Sequence, residues 1–214
     1  MILNGVLTHR NEVVHGAKTK PARLIHQHDQ ALSSSARLGT RRTDEASRVW
    51  KAPPMGFIKI NVDAGTRVQG VTSLGALARD HTGRLIAAVG SNSTQSLEPA
   101  IGEAMALRLG LELARCWSMD NIELESDGRR VVSMIESGKG DLSIAGSVTD
   151  DCLLLMRSFS KIRCSGVKRE ANKVAHVMAF FVSECCQLGS RPEELPMSVR
   201  NACNTDFEQR ICLQ

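Results

Sequence analysis

Phe57-Ile58-Lys59-Ile60-Asn61-Val62-Asp63 decides the reading of this chain, because Ile58, Ile60 and Val62 fall on one side of an alternating run while Lys59, Asn61 and Asp63 fall on the other. A period of two marks a β-strand with one apolar face. Two more strand-like runs follow, Thr72 to Arg79 and Arg84 to Ser91, joined by Asp80-His81-Thr82-Gly83. A short connection ending in Gly predicts an antiparallel hairpin, so the three runs form a meander.

Downstream the period changes. From Glu98 to Trp117, Ala100, Glu103, Leu107, Leu111 and Ala114 recur at spacings of three and four, which predicts a helix with Pro99 in its first turn. Asn121 to Ser126 reads as a short strand with Ile122 and Leu124 inward. Gly128 to Ser137 reads as a helix closed by Gly138, and Ile144 to Phe159 as another. A last strand, Ser160 to Lys168, leads to a helix that Asn172 opens as N-cap, with Val174, Ala175, Met178, Ala179 and Val182 on one stripe. The order β-β-β-α-β-α-α-β-α predicts an α/β domain.

Upstream, residues 1–49 hold four of the six His, the run Ser33 to Ser35 and no sustained period, and are expected to be a flexible linker. The domain is expected over residues 50–189, and residues 190–214, polar and Pro-interrupted, as a loosely packed C-terminal tail. Of the 27 Lys and Arg, eight lie in residues 1–50 against four acids, which leaves the rest of the chain with nineteen of each sign. A neutral domain is not built for strong non-specific phosphate binding, and 3% aromatic content with no Tyr argues against a base-stacking platform. The seven Cys include no C-x-x-C pair, so neither a zinc site nor a disulfide framework is indicated. Cys116, Cys152 and Cys164 read as small core residues. No apolar run reaches the length of a membrane span and no secretory leader is evident, so the protein is expected to be soluble, intracellular in nucleus or cytoplasm, and not secreted.

Three carboxylates hold special positions. Asp63 stands where the alternation of the first strand stops, Glu103 is expected in the first turn of the long helix, and Asp127 ends the fourth strand. For Glu103 the plain alternative is stabilisation of the helix macrodipole, and for Asp127 an N-cap that Ser126 could share. Yet Glu103 shares a stripe with Leu107 and Leu111, which aims it at the sheet, and a buried carboxylate needs a partner. Hard oxygen ligands converging on one point are what Mg²⁺ takes, and a cation relieves their mutual repulsion.

The runs Lys59 to Asp63, Leu77 to Gly83, Glu103-Ala104-Met105-Ala106-Leu107, Glu125-Ser126-Asp127 and Arg169 to His176 resemble, in order and spacing, the type 1 ribonuclease H domains of plant non-LTR retrotransposons and their domesticated relatives. Arg10 to Gly16 also looks like the segment preceding that domain in those elements, so residues 1–49 are expected to be its remnant. The resemblance implies a three-layer fold with a mixed five-stranded sheet and helices on both faces. It also implies hydrolysis of the RNA strand of RNA/DNA hybrids with Mg²⁺, or Mn²⁺ in its place, by a protein acting as a monomer. Carried over by position, Asp63 bridges two ions, and Glu103 and Asp127 complete one of them. His176 occupies the place of a fourth acid, as a metal ligand or as a solvated bystander. After Asp63 the family usually reads Gly and then a small residue, whereas this chain reads Ala64-Gly65. Arg129, Arg130, Lys168, Arg169 and Asn172 are the candidates for nucleic-acid contact, set against the ordinary reading of charges as a solvated face. The alternative functions are a nucleic-acid-binding module with weak or no turnover, and a retrotransposon remnant without function.

Overall fold

The computed structural model describes residues 48–211 apart from 67–69, 94, 183–186 and 189–191; residues 1–47 of the expected linker, with the segment Arg10 to Gly16, lie outside the described residues. The order is β1 (Ile58–Thr66), β2 (Thr72–Arg79), β3 (Leu85–Asn92), α1 (Pro99–Cys116), β4 (Asn121–Ser126), α2 (Arg129–Ser137), α3 (Ile144–Met156), β5 (Lys161–Gly166), a 3₁₀ turn (Arg169–Asn172), α4 (Lys173–Val182), β6 (Gln187–Leu188) and α5 (Met197–Ile211). The expected elements stand in their expected order, and the fold is the mixed α/β three-layer arrangement. The sheet runs β5-β4-β1-β2-β3-β6: the five strands expected, extended by a two-residue sixth at the β3 edge.

β1 is central because it is paired on both sides. Its antiparallel ladder with β2 runs from Lys59↔Arg79 to Thr66↔Thr72, and its parallel ladder with β4 from Ile58↔Ile122 to Val62↔Ser126. The strand therefore does not stop at Asp63, since pairing with β2 carries it three residues further. What stops is the parallel ladder. Asp63 and Asp127 are the first residues beyond it on neighbouring strands, and strands in a ladder lie roughly 4.8 Å apart.

The alternation read from the sequence becomes two cores. Ile60, Val62, Ala76, Ala78, Ile122 and Leu124 pack under α1, α2 and α3. Leu77 and Ala88 face the other way, against α4 and the chain leading into α5. The approach of α4 is close: a Cβ on Gly75 of β2 would lie 2.6 Å from the backbone nitrogen of Ala179, so the helix crosses there because that position has no side chain.

This second cover has two consequences. The polar alternates of β1 do not face water: Lys59, Asn61 and Asp63 are buried, as are Arg79, Glu123 and Glu125 on the adjoining strands. Buried charge requires partners, and here it has them. Lys59 Nζ lies 2.5 Å from Glu125 Oε1 and 3.3 Å from Glu123 Oε2, and Arg163 pairs with Glu123. The second consequence is in the expected loose tail. Leu195, Val199 and Cys203 join the second core, while Asp206 on α5 pairs with Arg79 at 2.9 Å, so the chain beyond residue 190 contains a docked helix.

Cys152 is buried, and Cys116 and Cys164 are half-buried, all three as free thiols. Burial pushes the Cys152 thiol up to about 12, which leaves it unreactive. Among the described residues no helix is long and apolar enough to cross a membrane.

Candidate metal centre

Asp63, Glu103 and Asp127 each offer a carboxylate oxygen to one point, and these oxygens all lie within 4.8 Å of one another. The ladder geometry sets Asp63 beside Asp127, and α1 brings Glu103 across from the first core. Glu103 is not in the first turn of α1, which begins at Pro99 and holds no acid there, so macrodipole stabilisation is not its role. Its carboxylate is held instead by the Ser126 hydroxyl, which donates to Glu103 Oε2 at 3.1 Å while accepting from Gly128 N at 3.0 Å. Gly128 is part of the same packing. A Cβ there would sit 2.9 Å from Glu103 Cγ and Oε2, so any side chain at 128 displaces that carboxylate. Ser126 was legible only as a possible cap; its grip on Glu103 follows from the packing of α1 against the end of β4.

His176, from α4 on the opposite face, meets the cluster at Asp63: Nδ1 stands 2.9 Å from Asp63 Oδ2. Arg169 Nη2 approaches Nε2 at 3.0 Å. An Arg can only donate, so Nε2 accepts and Nδ1 carries the hydrogen that goes to Asp63. The imidazole donates to the central acid and lies outside the set of three converging carboxylates.

Asn172 does not act as a helix cap. It ends the 3₁₀ turn before α4 and is 1% exposed, with its Nδ2 donating to the backbone oxygen of Val62 at 2.8 Å and to Asp127 Oδ1 at 2.9 Å. A residue so enclosed cannot make the nucleic-acid contact expected of it. Among the other candidates, Arg129 and Arg169 are exposed and Lys168 is half-buried. Arg130 is exposed but held by Asp141 at 2.8 Å and Glu98 at 3.5 Å.

The electrostatics of the cluster favour a cation. Burial, then the neighbouring charges of Asp63 and Asp127, push Glu103 up to about 8. Burial pushes Asp63 up to about 6; the His176 hydrogen bond offsets part of this, and the charge of Asp127 adds to it. Three hard oxygens that resist carrying their charges together suit a divalent ion such as Mg²⁺ or Mn²⁺. An acid with a raised value in the folded state keeps its proton when the unfolded chain has lost it, so the native protein binds more protons between about pH 4 and about pH 8. Stability of the cation-free protein therefore falls as pH rises through that window. Thermal melts in chelator are expected to show the midpoint dropping from about pH 5 to about pH 8, with millimolar Mg²⁺ restoring most of the loss at the upper end. A cation-free midpoint that rises with pH over this range would contradict the arrangement.

A family model described as reverse transcriptase-like matches residues 61–182. An Arabidopsis thaliana protein named for ribonuclease H is 28% identical over 133 residues, which are 62% of this chain and 21% of that protein, so the chain spans about a fifth of that relative's length. Among solved structures, ribonuclease H1 from Halobacterium salinarum NRC-1 superposes with a TM-score of 0.56 at 19% identity, covering 60% of this chain and 98% of that one. The N-terminal ribonuclease H domain of a Mycobacterium tuberculosis protein gives 0.54 at 21%, covering 61% and 95%. LC11 ribonuclease H1 in complex with an RNA/DNA hybrid gives 0.53 at 15%, covering 58% and 94%.

Proposed function

This chain belongs to the reverse transcriptase-like family of ribonuclease H-like domains, and from that premise we propose that it is a metal-dependent nuclease that hydrolyses the RNA strand of RNA/DNA hybrids. The observation that carries the reading is the meeting of Asp63, Glu103 and Asp127 within 4.8 Å. In this reading Asp63, Glu103 and Asp127 would together hold the metal. Mg²⁺, or Mn²⁺ in its place, supplies when bound the activation of an attacking water and stabilisation of the leaving 3′-oxygen.

The chain's own contribution is positioning. The Ser126 hydroxyl and the backbone N–H of Ala64 both donate to Glu103, and His176 donates to Asp63. Arg129 and Lys168 are the side chains offered to phosphate, and Arg169 joins them from its contact with His176, so binding is salt-sensitive and blind to sequence. Arg130 joins them only by leaving Asp141 and Glu98. The protein acts in this reading as a monomer inside the cell. Incubation of the purified protein with a labelled hybrid is expected to cut the RNA strand in Mg²⁺ or Mn²⁺ and to stop with chelator. Intact hybrid under both ions, with no measurable hybrid binding, overturns the reading.

One observation favours a second reading, a module that binds hybrids without turnover. The fourth position is filled by an imidazole already engaged with Asp63 and Arg169, so the centre has one carboxylate fewer than a four-acid site. His176→Asp separates the two. If the missing carboxylate limits catalysis, cleavage rises by at least about tenfold, the scale on which groups around a metal centre act. Unchanged absence of product with hybrid binding retained supports the binding module.

A further inference from the structure

Two buried amides connect the polar face of β1 to the metal centre, and their orientation is fixed by what surrounds them. Asn61 Oδ1 accepts from Trp50 Nε1 at 3.0 Å and from Arg79 Nη2 at 2.9 Å, while its Nδ2 donates to Glu125 Oε2 at 3.0 Å and to Asn172 Oδ1 at 3.3 Å. Asn172 then turns its own Nδ2 to Val62 O and Asp127 Oδ1. Flipping Asn61 would set its oxygen against the Glu125 carboxylate and its N–H groups against those of Arg79 and Trp50. Flipping Asn172 would set an oxygen against Asp127. Each amide has one permitted orientation, and the sequence of donors runs one way, from Arg79 and Trp50 through Asn61 and Asn172 to Asp127.

Asp127 needs such a hold. It lies beyond the end of the parallel ladder, in the connection between β4 and α2, and is half-buried. We propose that Asn172 is the positioning residue of Asp127, and that Asn61 keeps Asn172 in the orientation that donates. The N–H on Oδ1 fixes the carboxylate that stands in the cluster with Asp63 and Glu103. Because Asn172 also holds the oxygen of Val62, the residue just before Asp63, one amide ties β1 to the segment after β4 where their parallel ladder stops. The inference rests on the metal-centre reading above.

The test uses the whole chain and isothermal titration with Mn²⁺ in the absence of nucleic acid. Asn172→Ala is expected to weaken Mn²⁺ binding by about 10–100-fold, the range seen when a ligand loses its outer partner. Asn172→Asp, which faces Asp127 with a second carboxylate, is expected to weaken it further. In cleavage assays the loss in Asn172→Ala is expected in kcat at subsaturating Mn²⁺ with KM for the hybrid unchanged, and excess Mn²⁺ is expected to recover it. A measurement on the unaltered protein guards against misfolding of the variants: the side-chain ¹⁵NH₂ resonances of Asn172 are expected to shift on Mg²⁺ addition. Wild type that takes up no ion overturns the premise. Wild type that takes up Mn²⁺, alongside a folded Asn172→Ala of equal affinity or an Asn172 amide unmoved by Mg²⁺, overturns this inference alone.

Discussion

Asp63→Asn is expected to reduce cleavage of the RNA strand by at least about a thousandfold while making the cation-free protein more stable, and the two opposed effects have one cause. Asp63 is 3% exposed and has its carboxyl pushed up to about 6 by burial first, against the His176 hydrogen bond, and in part by the charge of Asp127. An amide of the same shape removes the repulsion, so the thermal midpoint in chelator should rise near pH 8. The same change removes the charge that, in the proposed function, would hold the metal. Loss of an outer-shell partner alone lowers metal affinity or activity by about 10–100-fold, so loss of the central ligand should exceed that range. Hybrid cleavage and a melt, run on one preparation, check both effects. Cleavage equal to wild type would assign the activity to a contaminant; a lower cation-free midpoint would mean that Asp63 is held by attractive contacts and not strained by like charge. Stability gained as function is lost is the usual mark of a site whose residues are arranged for a ligand and not for the fold.

What the sequence disclosed and what it withheld divide along a physical line. Apolar spacing is local, so Ile58-Ile60-Val62 showed a strand and Ala100 to Ala114 a helix. The resulting ends brought Asp63, Glu103 and Asp127 to one spot before any coordinates did. Cover is not local. The alternation of Lys59, Asn61 and Asp63 is the same whether water or a second layer lies over it. Only α4 and α5 on that face turn these residues, with Arg79, Glu123 and Glu125, into a buried network. Asn172 shows the same limit: Asn before an apolar run is a good cap signal, yet its amide turns inward because Val62 O and Asp127 wait there. For the C-terminal helix a weak signal was present in Leu195, Val199 and Cys203, spaced by four residues among polar neighbours. A stripe that narrow reads as a tail, because what secures it is an ion pair with a residue more than a hundred positions earlier.

That ion pair sets the second large effect: Asp206→Ala is expected to destabilise the protein by about 3–5 kcal/mol, the range for stranding one member of a buried pair. Arg79 is 1% exposed, and its guanidinium lies 3.7 Å from the ring centroid of Trp50, donates to Asn61 and pairs with Asp206 at 2.9 Å. Trp50 and Asn61 supply no negative charge, so without Asp206 the cation is left buried with only a ring face and an amide oxygen. Burial raises Asp206 as well, against the opposing pull of Arg79, so the pair is under mutual demand and not simply attractive. The expected pattern in urea unfolding is therefore a double-mutant cycle with strong coupling: Asp206→Leu and Arg79→Met each severe, and the combined Arg79→Met, Asp206→Leu much milder than their sum, because an apolar pair of similar volume has no charge to desolvate. Additive losses would show that α5 is held by Leu195, Val199 and Cys203 alone. A chain ending at residue 189 strands Arg79 in the same way and removes that apolar contact too, so it should be less stable than Asp206→Ala. Because Arg79 also fixes Asn61, its Mn²⁺ affinity should fall along with its midpoint.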